Sequence, residues 1–328
     1  MFRVSAQFQQ ALHHTFVLTA TALAMIFLWA GRLLPQANLL LVVFAFLSAV
    51  RLSGIVSQEL RLRLLSGMLI SAALLQYIVS VTGNLPLLHV LLPAAASWII
   101  LLKLPESSAY PVLLTGFLAY SAEPGVYAAS ERAADLLFSG VIAWFISSLS
   151  STKNQFAKAA NPEKSLPPQK AFIESLTIFC AAFLYKLLSM PQGIWIVLTI
   201  IFIYMSQKPG EQTNFLVRQR IFSVPAGILL GGLYSGTFAM LDHRLAYLAL
   251  LIGAAGFFML YYKHDFFYFT LFFMFAFTVA ADWMSGALHE FHFIQFLLAR
   301  TLATIIGAAV LLIIEKSAAN QLEKVSVS

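Results

Sequence analysis

Residues 64–102 contain no Asp, Glu, Lys or Arg. A helix needs ~20 mostly apolar residues to cross the hydrocarbon core of a bilayer, so this stretch is too long for one crossing. Gly83, Asn84 and Pro86 mark where it breaks in two. Similar charge-free runs cover 4–31, 33–50, 107–122, 136–152, 187–207, 221–241, 245–262 and 266–281. They are continuously apolar rather than alternating, which points to helices and away from a β-barrel. The expected spans are 14–31, 36–52, 62–82, 86–104, 108–122, 132–150, 171–190, 193–207, 217–241, 244–262, 265–282 and 292–315, twelve in all, with the second, fifth and eighth the shortest. The first is read as an uncleaved helix, because many further spans follow it.

Only 10% of the residues are charged and mean hydropathy is +0.84, whereas soluble domains carry about 25% charged residues. That excludes a soluble enzyme, a secreted disulfide scaffold and a disordered chain; lipid bilayer is the expected surrounding. Cys180 is the single cysteine, so neither an intrachain disulfide nor a multi-cysteine metal site can form. The net charge of +6 sits between apolar runs, where it reads as a topology signal and not as a nucleic-acid surface. With the N-terminus cytoplasmic, fifteen of the twenty Lys and Arg fall on the cytoplasmic side; Arg32, Arg132, Lys186, Arg244 and Arg300 fall on the other. The positive-inside rule therefore places both termini in the cytoplasm.

A polar connector, 151–170, holds Lys153, Lys158, Lys164, Lys170, Pro162, Pro167 and Pro168 and splits the spans six and six. The expected organisation is a first six-helix membrane repeat over 1–150, a cytoplasmic linker over 151–170, and a second repeat with a short tail over 171–328. A shift of 157 residues lays Arg51, Arg61 and Arg63 on Lys208, Arg218 and Arg220; Arg132 and Arg300 both open a sixth span. Six is even, so the repeats run parallel, and transporters often place a substrate site at such a repeat interface.

Ionisable residues inside spans are costly and are functional candidates. Asp135 stands three residues after Arg132, where a structural ion pair and a proton site compete as readings. Glu174 near the end of the seventh span is either a proton-coupling carboxylate or a snorkelling one. Lys186 snorkels. Arg300 lies deeper in the twelfth span and is the more interesting cation. Asp282, Glu290 and His292 are expected at the outer surface. His289-Glu290-Phe291-His292 does not have zinc-ligand spacing, and no P-loop for nucleotide hydrolysis is present. Gly227, Gly231, Gly232 and Gly236 form two overlapping G-x-x-x-G patterns for close helix packing.

Trp195, Thr199 four residues on, a Pro/Gly loop at 207–213, Arg220, then Gly227 and Gly231 together resemble the fusaric-acid-resistance family. That family belongs to the aromatic acid exporter superfamily, to which plant malate-transporting anion channels are related. Arg300, Thr304 and Gly307 also look like the family's ending. The resemblance covers 171–315 and is weak over 14–150, where Asn38, Ile70 and Leu74 replace the Trp and the glycine pair. It implies a compact bacterial inner-membrane exporter of small, often aromatic, organic anions, working with a periplasmic adaptor and an outer-membrane channel. No cofactor is implied, and a homo-oligomer is an open possibility.

Arg63, Arg220, Arg300 and Arg132 are the expected substrate-binding cations. Arg218 and Arg220 lie about 200° apart on a helix, whereas Gly227 and Gly231 fall within about 20° of Arg220. Arg220 should therefore point inward, and Arg63 should do so by the repeat. The alternatives are an uncoupled organic-anion channel and an intramembrane lipid-modifying enzyme. The second lacks a D-x-x-D or G-x-S-x-G motif, so the chain is not expected to be an enzyme.

Overall fold

The computed structural model describes residues 6–30, 39–53, 55, 57–121, 125–150, 165–190, 192–207, 212–239, 246–285 and 293–327. Most of the expected linker (151–164), the loop 208–211 and His289–His292 lie outside these residues. Among the described residues there are twelve α-helices and no strand. They are α1 (Ala6–Ala30), α2 (Leu39–Ser53), α3 (Gln58–Val81), α4 (Leu88–Lys103), α5 (Glu106–Gly116), α6 (Val126–Ser150), α7 (Pro168–Leu188), α8 (Ile194–Ser206), α9 (Thr213–Tyr234), α10 (Ala246–Lys263), α11 (Phe266–Ser285) and α12 (Phe293–Val327). A 3₁₀ turn at Phe117–Ser121 extends α5, and a π turn at Ser235–Ala239 extends α9.

Each expected span coincides with one helix. Four described helical segments are long and apolar enough to cross a bilayer unaided: Gln58–Val81, Ala129–Leu149, Pro168–Leu188 and Phe293–Ala319. Shorter apolar helices lie at Leu88–Lys103, Ile194–Ser206, Leu251–Lys263 and Phe266–Ala280. Large apolar side chains such as Ile70, Leu149 and Phe222 are about two-thirds exposed, a surface suited to acyl chains and not to water. The chain is a multi-pass helical membrane protein.

Local chemistry sets the helix ends. The Ser57 hydroxyl accepts from the Leu60 amide, and Glu59 occupies the positive end of α3. Pro168 opens α7, where its missing N–H costs nothing, and left-handed Ser189 closes it. Pro93 inside α4 cannot donate to the His89 carbonyl, so a bare acceptor would face the core. The Tyr120 hydroxyl fills that vacancy at 2.9 Å.

By contacts the chain divides into two units, one of Met1–Thr19 with Ser206–Ile305, the other of Ala20–Met205 with Ile306–Ser328. In the first unit α11 packs against both α9 and α10. The start of α1 is tied to α10 by Gln7, which donates to the Tyr262 carbonyl, and by edge-to-face packing of Phe8 on Phe258 and Tyr262. In the second unit α3 packs against α4, α5 and α6, α2 against α5 and α6, and α7 along α4. Every residue of α8 from Ile194 to Tyr204 is buried. The thirteen residues of α8 span only ~20 Å, and a helix apolar on all sides belongs inside protein.

Hydroxyls in these helices mostly fold back on their own backbone. Ser97, Thr115, Ser139, Thr177, Thr278 and Thr304 each donate to the carbonyl four residues earlier, a common local satisfaction of a buried hydroxyl.

Candidate functional site

The first unit holds two fully buried guanidinium groups, Arg220 of α9 and Arg300 of α12, each 1% exposed. On α9 the neighbouring Arg218 is exposed, as the helical angle between them requires. The face that carries Arg220 continues through Gly227 and Gly231 onto α11. A Cβ at Gly227 would lie 2.7 Å from the Met274 Cβ and 2.5 Å from the Leu271 oxygen; one at Gly231 would lie 2.8 Å from the Phe275 oxygen. The missing side chains let the two backbones meet. Gly232 faces the Phe293 ring, whereas Gly236 meets nothing within 4 Å. Gly236 therefore does not take part in the expected packing: it lies in the π turn, whose wider winding rotates it off the contact face.

Close approach of α9 to α11 brings the arginine pair into one neighbourhood. Arg300 reaches Met274 of α11, with Nη2 at 3.8 Å from the sulfur. Its guanidinium lies over the Phe277 ring at 4.7 Å and near the Phe296 ring at 5.8 Å, cation–π geometry that offsets part of the desolvation cost. The charge of Arg220 acts on Arg300. Two like charges repel more strongly in a low-dielectric interior than in water. Guanidinium forks match carboxylates in bidentate geometry. Buried guanidinium groups beside phenylalanine rings are suited to recognising an aromatic carboxylate.

The other expected cations, Arg63 and Arg132, belong to the second unit. Arg63 does not point inward. Its side chain is 75% exposed and pairs with Glu59 at 2.6 Å, one turn back on α3. Arg61 is the buried member, at 2%. The buried positions Arg61, Leu65, Met68 and Ala72 of α3 fall in step with Arg220, Val224, Gly227 and Gly231 of α9, 159 residues later. The register of 157 therefore places the wrong face of α3 inward, since a slip of two residues turns a helix by about 200°. Arg132 is half-buried on α6 among the charges of Glu131 and Asp135. Asp135, also half-buried, stays with these neighbours on its own helix.

Glu174 behaves otherwise. It is 1% exposed, not snorkelling. The Tyr110 hydroxyl of α5 donates to its Oε2 at 2.9 Å. Lys170 lies 3.7 Å from Oε1 and 3.2 Å from Glu106 on α5. Tyr110 and Glu106 carry no motif that sequence reading could detect; their role arises only from the packing of α5 beside α7. Asp282, expected at the surface, is 5% exposed and accepts a hydrogen bond from buried Ser235. Lys186 is exposed beside the rings of Tyr120 and Tyr185, 5.4 Å from each.

Comparison with known families adds one match: the family described as fusaric acid resistance protein-like, over residues 180–314. That segment, under half of the chain, is similar to the fusaric-acid-resistance-like family. No curated protein and no solved structure matches the chain. Within the family segment, the residues carrying the resemblance fall at two close approaches. Arg220, Gly227 and Gly231 line the contact of α9 with α11. Trp195 and Thr199 lie on the enclosed helix α8, where a Cβ at Gly307 of α12 would come 2.6 Å from the Ile196 oxygen and 3.2 Å from the Thr199 Cβ. Gly227, Gly231 and Gly307 thus mark places where helices touch backbone to backbone.

Proposed function

We propose that the protein is a secondary exporter of small organic anions, with aromatic carboxylates as the leading substrate class, and that Arg220 and Arg300 form its anion site. The carrying observation is the pair of buried guanidinium groups with Phe277 and Phe296 against one of them. An intramembrane cation marks a substrate or ion pathway by default. A carboxylate would accept hydrogen bonds from guanidinium N–H groups while its ring packs on the phenylalanines. The family match over 180–314 supports a transport or resistance role.

In this reading the chain is a twelve-span protein of the bacterial inner membrane, with both termini cytoplasmic and two parallel six-helix repeats. It hands its substrate to a periplasmic adaptor and an outer-membrane channel. No catalytic chemistry is assigned to it. Cells lacking the protein should become more sensitive to hydroxylated benzoates and accumulate them. Unchanged accumulation across a broad panel of organic anions, with adaptor and outer channel present, would sink the proposal. Flux that follows the anion gradient ohmically, without saturation or dependence on a pH gradient, would instead identify an uncoupled channel built on the same arginines.

A further inference from the structure

Glu174 sits in a setting that the anion site does not explain. Four helices of its unit converge on it. From α5 come Tyr110, which donates to Oε2 at 2.9 Å, and Glu106; from its own helix comes Lys170. From α8 comes Tyr204, whose hydroxyl donates to Thr177 Oγ1 at 3.2 Å one turn after Glu174. From α12 comes Glu315, whose charge, like that of Glu106, acts on Glu174. The second carboxylate oxygen, Oε1, is buried and accepts no hydrogen bond; the nearest charge to it is the Lys170 ammonium.

A buried carboxylate with one oxygen held and the other unbonded has two ways of lowering its energy. It can draw the ammonium closer, or it can take a proton on Oε1. Lys170 is placed to respond to either. Its side chain is 45% exposed and that of Glu106 40% exposed, against 2% for Glu174. The ammonium therefore bridges a surface carboxylate and a buried one. With Glu174 ionised, Lys170 is attracted by both. With a proton on Oε1, the pull from Glu174 is gone and Glu106 holds the ammonium at the rim.

We propose that Glu174 is a proton-binding site in which a proton on Oε1 and the Lys170 ammonium alternate as the counter-charge, with Tyr110 fixing the carboxyl and Glu106 receiving Lys170 when the proton is bound. Proton entry is along the Lys170 side chain, from the exposed rim to the buried oxygen. The use of this site to drive transport rests on the exporter reading; the existence of the site does not.

The test uses the full chain in phosphatidylcholine vesicles and follows the protonated-carboxyl C=O infrared band against pH. The wild type should show a band that titrates and that disappears in Glu174→Gln. Lys170→Gln removes the competing cation, so the band should persist to higher pH. Glu106→Gln removes a neighbouring negative charge and releases Lys170 to Glu174, so the band should vanish at lower pH. Opposite shifts in these two half-exposed positions are the signature of the exchange, and they remain measurable if Glu174→Gln does not fold. A titrating band unchanged in Glu174→Gln, or shifts of the same sign in the two neighbours, overturns the proposal. A second arm measures labelled 4-hydroxybenzoate against protein-free vesicles. In Glu174→Gln, exchange with unlabelled compound should persist, while uptake driven by a pH gradient is lost. If the wild type carries no 4-hydroxybenzoate, the exporter reading is what fails for that compound, and the infrared arm still decides the proton site.

Discussion

Arg61 and Arg63 stand two residues apart on α3, yet Arg61 is 2% exposed while the side chain of Arg63 is 75% exposed. Arg61 is spent on backbone: its Nε donates to the Ile55 carbonyl and its Nη1 to the Ser147 carbonyl of α6 at 3.4 Å. It clamps the approach to α3 onto α6. Arg63 holds only an exposed i,i+4 partner, and such pairs contribute little.

These two positions should therefore differ in stability. Arg61→Ala removes charged hydrogen bonds to two backbone carbonyls made by a residue only 2% exposed, a loss of about 2–4 kcal/mol. Arg63→Ala should leave the protein unchanged. Thermal unfolding in detergent, followed by Trp fluorescence, measures both; equal midpoints would contradict the assignment of Arg61 as the structural clamp.

On α9 the contrast is expected in transport. Arg220→Lys keeps a charge but loses the planar fork, in a site where the guanidinium is wholly buried. Flux of an aromatic carboxylate at matched expression should fall roughly tenfold or more, the scale of one charged hydrogen bond. Arg218→Lys, at an exposed position, should stay near wild type. Mild and equal effects would return both residues to the role of topology signals.

The glycines of α9 make a third, graded test. Gly227→Ala and Gly231→Ala place a methyl group against the backbone of α11, with contacts of 2.5 Å and 2.8 Å to carbonyl oxygens. Overpacking of this kind costs about 1–3 kcal/mol. Gly236→Ala meets open space and should be neutral. A melting series over the three variants reads the difference directly.

Topology is tested separately. Reporter fusions after Ser151 and after Lys324 should behave as cytoplasmic, following the Lys and Arg bias. Alkaline phosphatase activity at either point would invert the proposed orientation.

The helices were legible in the sequence because lipid leaves little choice: charge-free runs of bilayer length must be helical, and Gly83 to Pro86 had to interrupt one of them. The inward direction of Arg220 was legible too, since Gly227 and Gly231 share its angle on the helix. Arg63 was not, because α3 lacks such glycines. A register chosen from basic residues alone left the face of α3 undetermined by the two-residue step that separates Arg61 from Arg63. Tyr110 and Glu106 were invisible for a different reason. Periodicity reports a residue's angle on its own helix and is silent about which helix lies opposite. Sixty-four residues separate Tyr110 from Glu174, and no spacing rule connects them.

The back-bonded hydroxyls of Ser97, Thr115, Thr177, Thr278 and Thr304 have a consequence for any solute crossing the protein. A Ser or Thr that already donates to its own helix has no proton left to offer a passing ion. Such a hydroxyl can still accept a hydrogen bond, as Thr177 does from Tyr204, but it cannot donate one to an anion. Among the described residues of the second unit, donors for a travelling anion are then hydroxyls not committed in this way. Thr199 Oγ1, buried on α8 and making no hydrogen bond, is one of that small set. In the proposed exporter, uncommitted donors of this kind are the ones a travelling anion would use.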